Sequence, residues 1–229
     1  MKSHAGIPHG STCNLGADLE IYLQNNVSQG SSQWNDQSSA GRHAVQETSA
    51  NRPSFVAGGG LLFQVEEGGE DMMDFSSFTV ASNENFLIFI VWNPTATSTN
   101  AYLSDGTSEV FQITSGNVAL FKSPAQSNAM NHSSTFTITD GEKSVFMIER
   151  VSGATGQTYL YKNGLKHDPS VRDASTFDLQ NLGSKNDASN WFEGTMHDVG
   201  VISGDSVTDR NRDMIIDHLC SKHGIERLG

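Results

Sequence analysis

One polar stretch of the sequence gathers most of the side-chain types that catalysis and ligand binding use. Residues 32–53, SQWNDQSSAGRHAVQETSANRP, bring Trp, Asp, Arg, His and Gln side chains together in a Ser-rich run. The same residue types also build turns. We expect Asp36 to cap its own backbone, Gly41 to supply a backbone angle that other residues resist, and Trp34 to close one end of a core. The stretch is therefore interpreted as scaffold and not as a catalytic site.

The common catalytic patterns are not found in the rest of the sequence. Glycoside hydrolysis needs two carboxylates held ~5–9.5 Å apart, and the nearest candidate is EEGGEDMMD at residues 66–74. Glu70 and Asp71 are adjacent, so on a strand they would point to opposite faces, and the glycine pair before them indicates a turn. There is no Gly-x-Ser-x-Gly elbow, no phosphate-binding loop and no His or Cys spacing typical of zinc sites. We assign no catalytic residue and expect that the protein is not an enzyme.

The charge distribution excludes nucleic acid as a direct ligand. The formal net charge is −12 over 229 residues, and the span between Arg52 and Lys122 holds eight acids but no Lys or Arg. Binding to phosphates requires a basic face, whereas a cation or a neutral glycan is compatible with this charge. Self-repulsion that keeps the protein soluble is the other interpretation.

The N-terminal residues are interpreted as an arm and not as a signal peptide, because they lack an apolar segment. The longest apolar run, FLIFIVW at 86–92, is too short to cross a bilayer, so we expect cytoplasmic synthesis and no membrane partner. The arm comprises residues 1–17, and we expect it to dock on a neighbouring subunit. Its candidate contact residues are His4, Ile7, His9 and Leu15. Cys13 in the arm and Cys220 near the other end are either two free thiols or one bridge between the termini.

Short alternating or apolar segments separated by turn residues predict about thirteen strands in residues 18–229. The Asn163-Gly164 pair predicts a tight hairpin turn, and the continuous apolar run at 86–93 predicts a central strand buried on both faces. The predicted helix covers 207–223, with a capping box from Ser206 to Asp209 and Gly224 as its C-cap. Its buried face comprises Ile215, Ile216, Leu219 and Cys220. The predicted fold is all-β, a jelly-roll β-sandwich with one C-terminal α-helix.

Three segments together resemble the concanavalin A-like, laminin-G-type sandwich superfamily, in the form found in phage and bacterial proteins. The first is QWNDQSSAGRHAVQETSANRPSF, the second is the YLYKNGLK hairpin, and the third is the closing strand and helix from Trp191 to Ile225. His218 stands where the family's ending usually has Tyr. The resemblance covers roughly 33–226 and leaves the arm outside.

The resemblance implies two kinds of binding site. Calcium is the usual cofactor of the family's binding modules, and its oxygen ligands would come from loops; the candidate loops are 104–109, with Asp105, and 183–190, with Asp187. Solvated turns in which Asp and Asn cap their own backbone are the alternative. For a sugar ligand, the candidate residues are Trp191, Asn186 and Asp187, because an aromatic ring beside a polar loop can stack on a sugar.

Two functions follow as hypotheses, since this fold serves many purposes. The first is a non-enzymatic virion structural protein of a phage, either a capsid decoration protein or a tail-associated component. It would be made in the host cytoplasm, bind capsid or other virion proteins, and occur in multiple copies or as a homo-oligomer. The alternative is a lectin-like, glycan-binding module for attachment to a host surface.

Overall fold

The computed structural model describes residues 18–27, 29–66, 69–95, 100–107, 109–114, 118–121, 130–131, 138–151, 157–167, 176–184 and 191–229. These residues form the predicted all-β sandwich of two antiparallel sheets with one C-terminal helix. The strands are β1 (Leu19–Leu23), β2 (Gln33–Trp34), β3 (Ala44–Val45), β4 (Ser54–Phe55), β5 (Leu61–Phe63), β6 (Val65–Glu66), β7 (Gly69–Glu70), β8 (Met73–Val80), β9 (Phe86–Pro94), β10 (Asn100–Ser104), β11 (Glu109–Thr114), β12 (Val118–Phe121), β13 (Met130–Asn131), β14 (Ser144–Val151), β15 (Gln157–Lys162), β16 (Leu165–His167), β17 (Phe177–Leu182) and β18 (Gly194–Ser203). The helix is α1 (Asp209–His223).

The strand order places β18 at the centre of the first sheet. That sheet runs β16-β15-β14-β9-β18-β5-β4, and β1 pairs with the part of β18 that lies beyond β5. The second sheet runs β13-β12-β11-β10-β17-β8-β3-β2, while β6 and β7 form a small ribbon. The predicted hairpin turn between β15 and β16 is confirmed, with Asn163 at φ 51° and Gly164 at φ 92°.

The prediction of a central strand buried on both faces is confirmed for β9. Its alternate residues Phe86, Ile88, Ile90 and Trp92 enter the core between the sheets, and the intervening residues lie beneath α1. This double burial explains the nearly continuous apolar sequence, since neither face of the strand meets water. None of the helices in the described part of the chain has the length and apolar character that a membrane span requires.

The stretch 32–53 serves as scaffold, as predicted. Trp34 is fully buried, and its indole Nε1 donates to the Gln24 carbonyl oxygen at 3.0 Å. The Asp36 carboxylate accepts from the backbone nitrogens of Ser38 at 2.9 Å and Arg42 at 2.8 Å, so it caps its own turn. Gly41 has a φ of 66°.

The helix begins two residues later than predicted. Its N-cap is Thr208, whose Oγ1 accepts from the Asn211 backbone nitrogen at 3.2 Å. The predicted Ser206 cap is wrong, because Ser206 closes a 3₁₀ turn, Gly204–Ser206, before the helix starts. The C-cap is confirmed, since Gly224 adopts the left-handed conformation at φ 65°. The predicted buried face is also confirmed, and Cys220 within it is a free thiol; Cys13 lies outside the described residues.

Two buried carboxylates on the first sheet hold the two ends of α1. Glu149 on β14 accepts from Arg212 in the first turn, with both oxygens 3.1 Å from Nη1, and from the Tyr161 hydroxyl at 2.7 Å. Asp198 on β18 accepts from Lys222 at 2.8 and 3.0 Å and from His223 Nε2 at 2.5 Å. The helix is therefore fixed by ion pairs at both ends and by apolar packing between them.

We expect Asp198→Asn to lower the free energy of unfolding by about 3 kcal/mol, because breaking a buried ion pair leaves its cationic partners uncompensated. Urea unfolding at pH 7 measures this change. Asp213→Asn is the matched control: Asp213 pairs with Arg212 at 3.3 Å, but its side chain is 46% exposed, and exposed pairs contribute little. Equal effects of the two substitutions would contradict a special role for Asp198.

Candidate functional site

The structure describes only some of the predicted site residues. Trp191 is half-buried and lies three residues before β18. Two groups of predicted residues lie outside the described residues: Asn186 and Asp187 of the 183–190 loop, and His4, Ile7, His9 and Leu15 of the arm. Their predicted roles stay predictions.

The predicted calcium ligand Asp105 caps a turn. Its Oδ1 accepts from the Thr107 backbone nitrogen at 2.8 Å and from the Thr107 hydroxyl at 2.9 Å. Within the described ranges, no three His, Cys, Asp or Glu side chains converge to hold a metal ion. Because Asp187, the second proposed ligand, is not described, the calcium site stays a prediction.

The two loops predicted to bind ligands leave the second sheet from the same short ladder. β10 and β17 pair only through Leu103↔Leu182 and Ser104↔Asn181. The 105–107 turn starts directly after Ser104, and the 183–190 loop starts directly after Leu182. Because the two strands are antiparallel, the chain leaves the ladder in opposite directions: the 105–107 turn lies beside Gln180 and Asn181, whereas Gly183 continues beside Tyr102.

Next to this ladder, three polar side chains form a row across β8, β17 and β10, which we call the polar row: Asp74, Asn181 and Ser104. The Asn181 amide donates from Nδ2 to Asp74 Oδ1, and its Oδ1 accepts from Ser104 Oγ at 3.4 Å. Asp74 is exposed, whereas Asn181 and Ser104 are buried. The row thus ends in an exposed carboxylate whose orientation is set by a buried amide.

The 105–107 turn packs onto the polar row. A Cβ added to Gly106 would lie 1.9 Å from the end of the Gln180 side chain and 3.1 Å from Asn181 Oδ1, and the φ of 83° at Gly106 favours glycine. The Gly106 backbone nitrogen donates to Ser104 Oγ at 3.3 Å. Side chains fixed in this way lose little entropy when a ligand binds, and this preorganisation favours recognition.

A second polar cluster surrounds Asp198, and no sequence motif indicates it. On a regular strand His197 and Asp198 would face apart, but β18 has a bulge between Met196 and Asp198. Bulges redirect side chains, and here the ring of His197 lies 5.4 Å from the ring of His223. Asp198 additionally accepts from the Tyr22 hydroxyl at 3.1 Å and the Asn25 backbone nitrogen at 3.2 Å.

Burial and neighbouring charges set the protonation states of this cluster. Burial would raise the pKa of Asp198, but the hydrogen bond from His223 and the charge of Lys222 outweigh it and lower the pKa. Burial, followed by the charge of Lys143, lowers the pKa of His197 to about 3. His197 is therefore neutral at neutral pH, while Asp198 is ionised. With Asp198 completely buried, the cluster is suited to holding the helix and not to acting on a bound substrate.

Comparisons with known proteins show the fold. No family model matches the chain, and no curated protein matches it. The binding domain of Paraclostridial mosquitocidal protein 1 matches with a TM-score of 0.61 and 15% identity, over 90% of this chain and 53% of that chain. Botulinum neurotoxin type C matches with a TM-score of 0.59 and 13% identity, over 91% of this chain and 53% of that one. Cell entry of that toxin is dependent upon interaction with two ganglioside molecules.

Part of an enzyme also has this fold. A mutant of Trypanosoma rangeli sialidase that displays trans-sialidase activity matches with a TM-score of 0.55 and 13% identity, over 95% of this chain and 34% of the enzyme. The chain thus spans about half the length of the toxin domains it matches and a third of the sialidase. These matches show a lectin-like β-sandwich, as in toxin binding domains and a sialidase.

We expect stability to fall as the pH drops from about 6.5 towards 3, because in this range the unfolded chain protonates His197 while the folded protein does not. For one such proton, the free energy of unfolding falls by roughly 1.4 kcal/mol for each unit by which the pH drops in this range. His197→Gln keeps a donor in place of Nε2 and removes this titration, so its stability should depend less steeply on pH. Urea unfolding at pH 7, 6, 5 and 4 measures both slopes; parallel curves would contradict the assignment.

Proposed function

We propose that this chain is a lectin-like module that binds a surface glycan without catalysis, and that the polar row is its binding site. The observation that carries the proposal is the Asp74 carboxylate, which is exposed on the open face of the second sheet and oriented by the buried Asn181 amide. An oriented carboxylate accepts hydrogen bonds from sugar hydroxyls, and charge-assisted bonds of this kind are stronger than neutral ones.

The surroundings of the polar row support this location. The 105–107 turn packs beside Asn181, and the chain leaves Leu182 for the loop that returns at Trp191. A polar sheet face with a turn packed against it supplies hydrogen bonds, and the stacking surface would come from the predicted contact Trp191. Trp191, Asn186 and Asp187 stay the predicted contacts from the second loop.

Within β8 and β17, the spacing of the acids supports binding over hydrolysis. On the same face of β8 and β17, the next described carboxylate is Asp178, which accepts from the Thr79 hydroxyl at 2.6 Å. Thr79 lies five residues along β8 from Asp74, about 16 Å at the rise of a strand. This exceeds the ~5–9.5 Å that glycosidases place between their two carboxylates. We also propose that the sandwich belongs to the concanavalin A-like, laminin-G-type superfamily.

The virion role and virion location stay predictions. The residues predicted to contact capsid or other virion proteins lie in the 1–17 arm, outside the described residues. A glycan-binding face on the second sheet is compatible with that role, because the arm and the sheet would contact different partners. Deletion of residues 1–17 distinguishes the virion role from glycan binding. The deletion should abolish incorporation into particles and leave glycan binding intact.

We expect the protein to bind one class of glycan on an array that includes neutral and sialylated structures. Asp74→Ala should weaken that binding about 10–100-fold, because a lost hydrogen bond to a charged group costs about 1.5–3 kcal/mol. Trp191→Ala tests the predicted aromatic contact in the same assay.

Asp178→Ala is the matched control, since it removes an exposed carboxylate from the same sheet face away from the polar row. Thermal unfolding of each variant checks that the fold is retained. No glycan bound on a broad array, or equal binding by Asp74→Ala and wild type, would refute the proposal.

A further inference from the structure

Two buried hydrogen-bond acceptors lie beneath the loop that joins β4 to β5. His197 Nδ1 and Asn25 Oδ1 have no hydrogen-bond partner among the residues that the structure describes. The two residues are only 4% and 9% exposed. An unpaired buried polar atom is unfavourable, because it has lost its hydrogen bonds to water, so two such atoms under one loop require an explanation.

The other ring nitrogen of His197 shows that Nδ1 is an acceptor. Nε2 lies 2.7 Å from Asn93 Oδ1, while Asn93 Nδ2 donates to the Gly141 carbonyl oxygen at 3.1 Å. Asn93 Oδ1 can only accept, so Nε2 carries the hydrogen. In the neutral ring this leaves a lone pair on Nδ1.

The backbone of Asn25 is held in place. Its nitrogen donates to Asp198 Oδ1 at 3.2 Å, and Asp198 is fixed in turn by Lys222 and His223. The side-chain oxygen of Asn25 lies directly against Gly59. Both acceptors therefore belong to the rigid outer face of the first sheet and its border.

A run of three glycines covers the two acceptors. Gly58, Gly59 and Gly60 have φ angles of 95°, 103° and 101°, a region that side chains disfavour. A Cβ on Gly59 would lie 2.7 Å from Asn25 Oδ1, and a Cβ on Gly60 would lie 2.8 Å from His197 Nδ1. The cover contacts both acceptors but supplies neither with a donor.

The cover is held chiefly by bonds within itself. The Val56 nitrogen donates to the Gly60 oxygen at 3.2 Å, and the Gly59 nitrogen donates to the Val56 oxygen at 2.9 Å. A displacement of this loop as a unit would break neither of these two bonds nor the pairs Ser54↔Leu62 and Phe55↔Leu61 of the β4–β5 ladder, and it would open a path to the two acceptors.

We propose that His197 Nδ1 and Asn25 Oδ1 form the floor of a polyol-binding site whose cover is the 56–60 loop. The hydroxyl groups of a polyol bring the donors that both acceptors lack. Ethers and ionised carboxylates bring only acceptors and are rejected. The site lies on the first sheet and is distinct from the polar row. A test of polyol binding is therefore independent of the proposed glycan binding.

Titration of the uniformly ¹⁵N-labelled protein with glycerol at pH 7 tests the proposal, with the histidine ring nitrogens observed by long-range ¹H–¹⁵N NMR. The His197 Nδ1 resonance should move and saturate with glycerol, and should stay unchanged with 1,2-dimethoxyethane, which has no donors. No movement with glycerol, or equal movement with the ether, would overturn the proposal. If the Nδ1 chemical shift shows that this atom is already hydrogen-bonded, and glycerol does not change the shift, resident water alone occupies the site. This result also overturns the proposal.

Two variants and one control locate the binding. Asn25→Ala and His197→Gln should each weaken glycerol binding at least about tenfold, the equivalent of one hydrogen bond of about 1.4 kcal/mol, as followed by the Gly59 and Gly60 amide signals. Asn83→Gly, which changes an exposed residue in the turn between β8 and β9 and retains its positive φ of 61°, should bind like wild type. The amide spectrum checks the fold of each variant. Unchanged binding in both test variants, or equal loss in the control, contradicts the proposed floor.

Discussion

The Asp198 carboxylate is the constraint on which the arrangement of the helix and the first sheet depends. It is completely buried and accepts hydrogen bonds from Tyr22, Asn25, Lys222 and His223. These partners lie on β1, on the turn after β1 and in the last turn of α1, so one side chain joins the beginning of the described chain to its end. A carboxylate near a helix C-terminus is electrostatically unfavourable by itself. Lys222 and His223 offset this, and the cluster is stable only as a set.

The position of the helix gives the two sheets different roles. Because α1 covers the first sheet, β9 is apolar on both of its faces and the Asp198 and Glu149 clusters are removed from water. In the described part of the chain, no helix covers the outer face of the second sheet. That face carries exposed Asp74, Thr79 and Asp178. The sandwich thus has one sheet whose outer face is covered by the helix and one sheet whose described outer face carries exposed polar side chains.

Features that depend on neighbouring residues could be predicted from the sequence. The Asn163-Gly164 turn, the Asp36 turn and the Gly224 cap are each set by backbone preferences and side-chain bonds within a few residues. The continuous apolar run in β9 also identified a strand covered on both sides. The N-cap was missed because Ser206 and Thr208 are both capping residues, and the preceding 3₁₀ turn decided between them.

The sites could not be predicted because their residues meet only after the strands pair. Asn181 and Asp74 are 107 positions apart, and Tyr22 and Asp198 are 176 apart. The bulge at His197 breaks the alternation on which the opposite-face expectation for His197 and Asp198 relied. A sequence pattern gives residue types at each loop, whereas register decides which loops become neighbours.

The free thiol on the helix makes the docking of α1 chemically observable. Cys220 is buried against the first sheet, and burial raises the pKa of its thiol. A thiol that is protonated and shielded reacts slowly with alkylating reagents, because the thiolate is the nucleophile. Modification at Cys220 therefore proceeds through excursions in which the helix leaves the sheet. Its rate reports the frequency of those excursions, and an adduct formed there would trap the helix in the undocked state.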